Sequence, residues 1–187
     1  MSWLEKYKDA LNIRYETFKT LFDISHERKL INVVETGTAR GKVKYYYFKP
    51  KINWKDGMST LLFAEYTSLV GGLFWSCDID NQNIYNAHKF TKQVNENVIF
   101  VAADSHVFLK NITMRIDILY LDSLDGNMPE ANKHQFKEAE LSLKHLNQNG
   151  LILLDDKGSK TNMSIPFLID NGWNIIKETD QQVLFSK

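Results

Sequence analysis

Apolar residues follow two rhythms along this chain. From Trp3 to Ile24, the residues Leu4, Tyr7, Leu11, Tyr15, Phe18 and Phe22 recur at three- and four-residue steps, the period of an amphipathic helix or a broken pair of helices. The polar face of this stretch mixes both signs of charge, so residues 1–29 are expected to form a helical cap packed on a domain and not a membrane-surface helix. Short apolar runs follow at 30–34, 73–77, 98–102, 116–121, 151–154, 173–176 and 182–185. Helix-like spacing fills 59–69, 81–92, 130–146 and 162–170. Five of the runs are continuous and not alternating, as in strands covered on both faces. Strands alternating with helices predict right-handed crossovers and a mostly parallel sheet. Only Glu178-Thr179-Asp180-Gln181 joins the last two runs, a hairpin-length link that predicts an antiparallel pair at one edge.

One segment breaks this rhythm. Residues 42–57 read KVKYYYFKPKINWKDG and stand where a strand-to-helix turn of ~2–6 residues is expected.

Composition narrows the class. The chain has 187 residues, suited to one domain, with 23 basic and 23 acidic side chains. That balance argues against an extended nucleic-acid surface. A lone cysteine, Cys77, excludes an internal disulfide framework and a cysteine-built zinc site, and it suits a reducing compartment. Charged residues interrupt the first twenty positions, so no secretory signal is evident there. No stretch reaches the ~20 apolar residues of a membrane span. The expectation is a soluble, cytoplasmic, single-domain protein.

In an open parallel sheet, ligands bind outside the carboxyl ends of the strands, near the point where strand order reverses. The residues at those ends are Glu35-Thr36-Gly37-Thr38-Ala39-Arg40-Gly41, Cys77-Asp78-Ile79-Asp80, Ala103-Asp104-Ser105, Leu121-Asp122-Ser123 and Asp155-Asp156. Gly37 and Gly41 would let a ligand approach the backbone, although a purely structural turn has the same look. Asp78 stands where a ribose diol can be gripped, whereas Asp80 suits a helix cap. Each acid alone reads as a cap or a solvated group. Together they bring a carboxylate to one edge from all five core strands.

The motifs VVETGTARG, GMSTLLFAEY, FWSCDID, VAADS, IDILYLDS and LNQNGLILLDD, followed by NGW and the edge strands, make the sequence resemble class I S-adenosylmethionine-dependent methyltransferases, in their small O-methyltransferase-like branch. The resemblance spans residues 30–187. It implies an α/β, Rossmann-like, seven-stranded sheet with an antiparallel last strand and helices on both faces. It further implies that Glu35, Gly37, Thr38 and Gly41 border the methionine part of the cofactor, that Asp78 holds the ribose, and that Ala103 and Asp104 lie beside adenine. Asp122 would face both cofactor and acceptor, and Ser59 and Thr60, opening the helix after the glycine turn, would still face the cofactor. Two departures stand out. The 42–57 segment interrupts the first motif, and Ala103 replaces a glycine common in the family. A nicotinamide site is a poor alternative, because the turn lacks G-x-G-x-x-G.

Methyl transfer requires an aligned and deprotonated acceptor. Two routes to deprotonation are open. In the metal-dependent relatives that the sequence resembles, three oxygen ligands hold a divalent ion, and Asp122, Asp155 and Asp156 match them; Mg²⁺, Ca²⁺ or Mn²⁺ would suit. Alternatively a protein base serves, with His134 the first candidate and His106 the second. Asp122-Ser123-Leu124-Asp125 lacks the prolines and the aromatic of amine methylases acting on nucleic acid. The resemblance therefore implies a small hydroxylated acceptor, a sugar or a phenol. The 42–57 segment is read as a lid over it, with polyanion binding or a homodimer contact as alternatives. A catalytically silent protein that binds the cofactor or regulates a partner is the contrasting class.

Overall fold

The computed structural model describes residues 2–41, 43–46, 49–54 and 58–187, with 43–46 and 49–52 described as backbone only. A 3-10 turn (Ser2–Tyr7), helix α1 (Lys8–Leu11), a second turn (Asn12–Arg14) and helix α2 (Tyr15–Glu27) make the N-terminal cap. Strand β1 (Asn32–Thr36) follows, then a hairpin of β2 (Val43–Tyr46) and β3 (Lys49–Ile52), and helix α3 (Ser59–Val70). Next come β4 (Leu73–Asp78), α4 (Asn81–Thr91), β5 (Val98–Ala102), α5 (Ser105–Asn111) and β6 (Ile116–Leu121). The chain closes with α6 (Ala131–Ser142), β7 (Leu146–Leu154), α7 (Ser164–Asp170), β8 (Asn174–Glu178) and β9 (Val183–Ser186).

Seven strands form one sheet in the order β5-β4-β1-β6-β7-β9-β8. The pairs from β5 through β7 are parallel, and β9 lies antiparallel between β7 and β8. The α/β class, the antiparallel last strand and the helices on both faces agree with expectation. Because successive side chains leave a strand on opposite faces, the continuous apolar runs feed two cores. Val33, Ile118, Tyr120, Leu151, Leu153 and Leu184 meet Phe18, Phe22, Phe63 and Tyr66 of α2 and α3. Val34, Leu119, Leu121, Ile152, Leu154 and Phe185 meet Leu109, Ala139 and Leu168 of α5, α6 and α7.

The N-terminal cap belongs to the first of these cores, with Leu4, Phe18, Leu21 and Phe22 buried. Helix α5 was not among the expected helices: its seven residues are too few to display a period, and Asp104 caps it, accepting bonds from the His106 and Val107 amides. Strand β7 begins at Leu146, the last residue of the stretch predicted as helix, where the chain pairs with Ile116 of β6 ahead of a register shift. Of the segment expected to be a lid, Lys42, residues 47–48 and residues 55–57 lie outside the described residues. Among the described residues no helix is long and apolar enough to cross a membrane.

Candidate active site

Strand order reverses between β1 and β6, and the predicted site residues gather on the carboxyl edge around that point. The parallel ladder runs on past the strand ends and pins them. Gly37 N–H donates to Cys77 O at 2.8 Å, Asp122 N–H to Thr36 O at 3.0 Å, Ala103 N–H to Asp78 O at 3.0 Å, and Asp155 N–H to Leu121 O at 3.2 Å. Backbone pairing therefore holds the turn after β1 against the ends of its neighbours.

Gly37 has φ +81°, and a Cβ there would lie 2.4 Å from the Asp122 carbonyl oxygen. Only glycine allows both the left-handed backbone and this approach. Gly41, at φ +65°, packs against α4, where a Cβ would meet the Phe90 ring at 2.4 Å.

Glu35 lies beneath the turn with no exposure. Its carboxylate accepts bonds from Ser59 Oγ (2.6 Å), Ser76 Oγ (2.7 Å) and Thr60 Oγ1 (2.8 Å). Thr60 Oγ1 in turn accepts the Ala39 N–H at 2.8 Å. Glu35, Ser59 and Thr60 thus brace the turn from below. Burial pushes the Glu35 carboxyl up to about 7, against the opposing pull of the three hydroxyls.

Two adjoining cavities open above this turn, and both are lined by Gly37, Asp78 and Ser123. The first, of about 210 Å³, is walled by Cys77, Ile79, Ala103, Asp104, Leu124 and His134. Ile79 is 74% exposed, an apolar side chain left facing open space beside this cavity. The second, of about 100 Å³, is lined by Thr38 and by charged side chains, among them Arg14, Asp122, Asp155 and Asp156. Asp78 stands at the seam. Its Oδ2 accepts the Thr38 N–H at 3.1 Å, and its Oδ1 accepts the Asp80 N–H at 2.8 Å. A third and smaller hollow, about 30 Å³, lies under the cap between Leu11, Phe18, Trp54, Met58, Tyr120 and Asp122. The Trp54 ring sits 5.0 Å from that of Tyr7, joining the inserted segment to the cap beside this hollow.

His134 belongs to the first cavity and not to the charged one. Its Nε2 lies 3.0 Å from Ser105 Oγ and 3.5 Å from Glu138 Oε1, and Ser123 Oγ donates to the same Glu138 oxygen at 2.7 Å. The bond with Glu138 lifts the imidazole pKa above its ordinary value. The His106 ring stacks beside it, centroids 4.1 Å apart. His134, read from the sequence as a protein base in place of a metal at Asp122, thus lines the first cavity and Asp122 the second.

Asp122, Asp155 and Asp156 converge as expected, but the cations among them come from the chain. Lys160 Nζ lies 2.7 Å from Asp122 Oδ1 and 3.0 Å from Asp156 Oδ2. Arg14 donates from Nε to Asp155 Oδ1 at 3.1 Å and lies 3.1 Å from Asp155 Oδ2. Tyr120 OH donates to Asp155 Oδ2 at 2.9 Å and reaches Asp122 Oδ2 at 3.3 Å. Burial, and then the charge of Asp155, push the Asp122 carboxyl well above the usual range. Among the described residues no group of three or more His, Cys, Asp or Glu is arranged to hold a metal ion. The expected Mg²⁺, Ca²⁺ or Mn²⁺ does not fit this donor set, since an ammonium stands between two of the proposed ligands. Sequence reasoning missed Lys160, Arg14 and Tyr120. Only the Asp156-to-Lys160 spacing carried a local signal, the i,i+4 step of a paired turn.

No protein-family profile and no curated protein matches the sequence. Solved structures do match. The chain is similar to an S-adenosylhomocysteine-bound methyltransferase from Podospora anserina, at 14% identity and TM-score 0.64 over 99% of this chain and 84% of that one. It is similar to the N-methyltransferase NodS of Bradyrhizobium japonicum, also bound to S-adenosylhomocysteine, at 13% identity and TM-score 0.60 over 100% and 97% of the two chains. A ribosomal protein L11 methylase from Lactobacillus delbrueckii matches at 15% identity and TM-score 0.56 over 90% and 77%. At these identities the likeness is one of fold, the Rossmann-like methyltransferase sheet.

Proposed function

We propose that the chain is an S-adenosylmethionine-dependent methyltransferase acting on a small hydroxylated acceptor. The observation that carries this reading is the pair of cavities meeting at Asp78, one walled by Ile79, Ala103 and Leu124 and the other by charged groups. A nucleoside joined to a zwitterionic amino acid has that division of polarity. The apolar cavity suits the adenine, Asp78 the ribose hydroxyls, and the charged cavity beside Gly37 and Thr38 the methionine end. Bound there, S-adenosylmethionine supplies a methyl group on a positively charged sulfur.

The chain's own part is alignment and proton transfer. Asp122 borders both the charged cavity and the hollow under the cap, so an acceptor hydroxyl reaching the mouth of that hollow would meet a carboxylate. The Lys160 ammonium beside Asp122 favours the charged carboxylate, the form able to accept a hydroxyl proton. The cap, through Leu11 and Phe18, and the inserted segment, through Trp54, would exclude water from that hollow. The hollow mixes apolar Leu11, Phe18 and Trp54 with charged Arg14, Asp122 and Asp155, and a small acceptor is preferred to an extended polyanion because the overall charge is neutral. The fold itself names no acceptor, since the similar structures include an N-methyltransferase and a ribosomal protein methylase.

Calorimetric titration with S-adenosylmethionine and S-adenosylhomocysteine tests the reading. Binding of both, lost in Asp78→Ala, is the expected result; a protein that is folded and binds neither would end it. Binding without turnover on any hydroxylated acceptor would favour the silent, regulatory alternative.

A further inference from the structure

We infer that Lys160 is the resident cation of the carboxylate cluster, a positioning residue that holds Asp122 and Asp156 as a divalent ion would. Asp122, Asp155 and Asp156 arrive from the ends of two adjacent strands. Three carboxylates brought this close repel one another and require a cation or a proton. Lys160 is only 2% exposed, and a buried ammonium is stable only when it is paired. Its Nζ meets that need by bridging Asp122 Oδ1 and Asp156 Oδ2. Arg14, from the N-terminal cap, completes the set on Asp155.

The local chain is shaped for this contact. Asp156 adopts φ +53°, and the Lys160 N–H returns to Asp156 O at 3.0 Å. That turn carries the lysine side chain back over the carboxylates from which it departs. The cation is therefore part of the fold, present whether or not a divalent ion is available. The consequence for catalysis, that Lys160 fixes the orientation of Asp122 toward the acceptor, rests on the methyltransferase reading. The electrostatic role does not.

The test is thermal unfolding with and without MgCl₂, CaCl₂ or MnCl₂, each against NaCl of equal ionic strength. The parent protein is expected to show no metal-specific shift. Lys160→Met is expected to melt roughly 6–20 °C lower, because it leaves buried charge uncompensated. It should then gain a saturable rise of roughly 3–6 °C when the metal is about tenfold above its dissociation constant. Lys160→Arg should remain indifferent to metal. A metal-specific shift in the parent would overturn the inference, as would a folded Lys160→Met that ignores all three metals. If Lys160→Met does not fold, Lys160→Met/Asp122→Asn removes one charge of each sign and should fold; its failure would also overturn the inference. S-adenosylhomocysteine titrated into the parent keeps the readings apart, since absence of binding removes the methyltransferase reading and leaves the metal result intact.

Discussion

Glu35 has no access to water, and the protonation of its carboxyl should govern part of the protein's response to pH. Burial raises its pKa from 4.5 to about 7, although three hydroxyls donate to it and pull the other way. Between those two values the folded protein holds a proton that the unfolded chain has released. The stability tied to this proton is therefore complete below about pH 4.5 and is lost as the pH rises through 7, the reverse of an ion-paired carboxylate. At ~1.4 kcal/mol per pH unit the full effect is about 3 kcal/mol, of which about 2–3 kcal/mol falls between pH 5 and pH 8. Glu35→Gln keeps the shape, removes the titration and leaves other groups in place. Denaturant unfolding of parent and variant at pH 5, 6, 7 and 8 isolates the term as a difference. The variant should gain about 2–3 kcal/mol on the parent across that range. A difference that stays constant would refute the argument that burial outweighs the hydroxyl bonds, and a difference of opposite sign would show that the bonds win.

Other outcomes follow from the same edge of the sheet. Gly37→Ala forces a Cβ to within 2.4 Å of the Asp122 carbonyl at positive φ; a loss of at least ~2 kcal/mol of stability is expected in denaturant titration, together with loss of cofactor binding. Asp78→Asn should keep the melting temperature within a few degrees of the parent and weaken S-adenosylhomocysteine binding by about 10- to 100-fold in calorimetry, as expected when one charge-assisted contact becomes neutral. His134→Gln should raise the apparent dissociation constant for S-adenosylhomocysteine while sparing the rate at saturating cofactor. A fall in that rate alone would return His134 to the role of base.

The fold was largely legible because it rests on local runs of apolar residues and on the short links between them. Runs such as Ile116–Leu121 must be covered on both faces, and the short link after Glu178 forces an antiparallel return. The acids at the strand ends were legible for a related reason. In a parallel sheet all the carboxyl ends share one edge, so Asp78, Asp104, Asp122 and Asp155 line that edge whatever the strand order. Helix α5 and the early start of β7 were hidden. One is too short to show a period, and the other joins the sheet through the long-range pairing of Leu146 with Ile116.

The chain's order of apolar and acidic residues determined the class of sheet and the edge at which chemistry is placed, since both depend on neighbours a few positions apart. Tertiary structure decided which charges meet there. Arg14 and Asp155 are 141 positions apart, and Lys160 and Asp122 are 38 apart. Their pairing depends on where the N-terminal cap docks and how the turn after β7 folds back. The same long-range packing put His134 against Ser105 and Glu138, in the first cavity, while Asp122 lines the second. Contacts of that length are set by burial and by the pairing of buried charge, and no local pattern announces them.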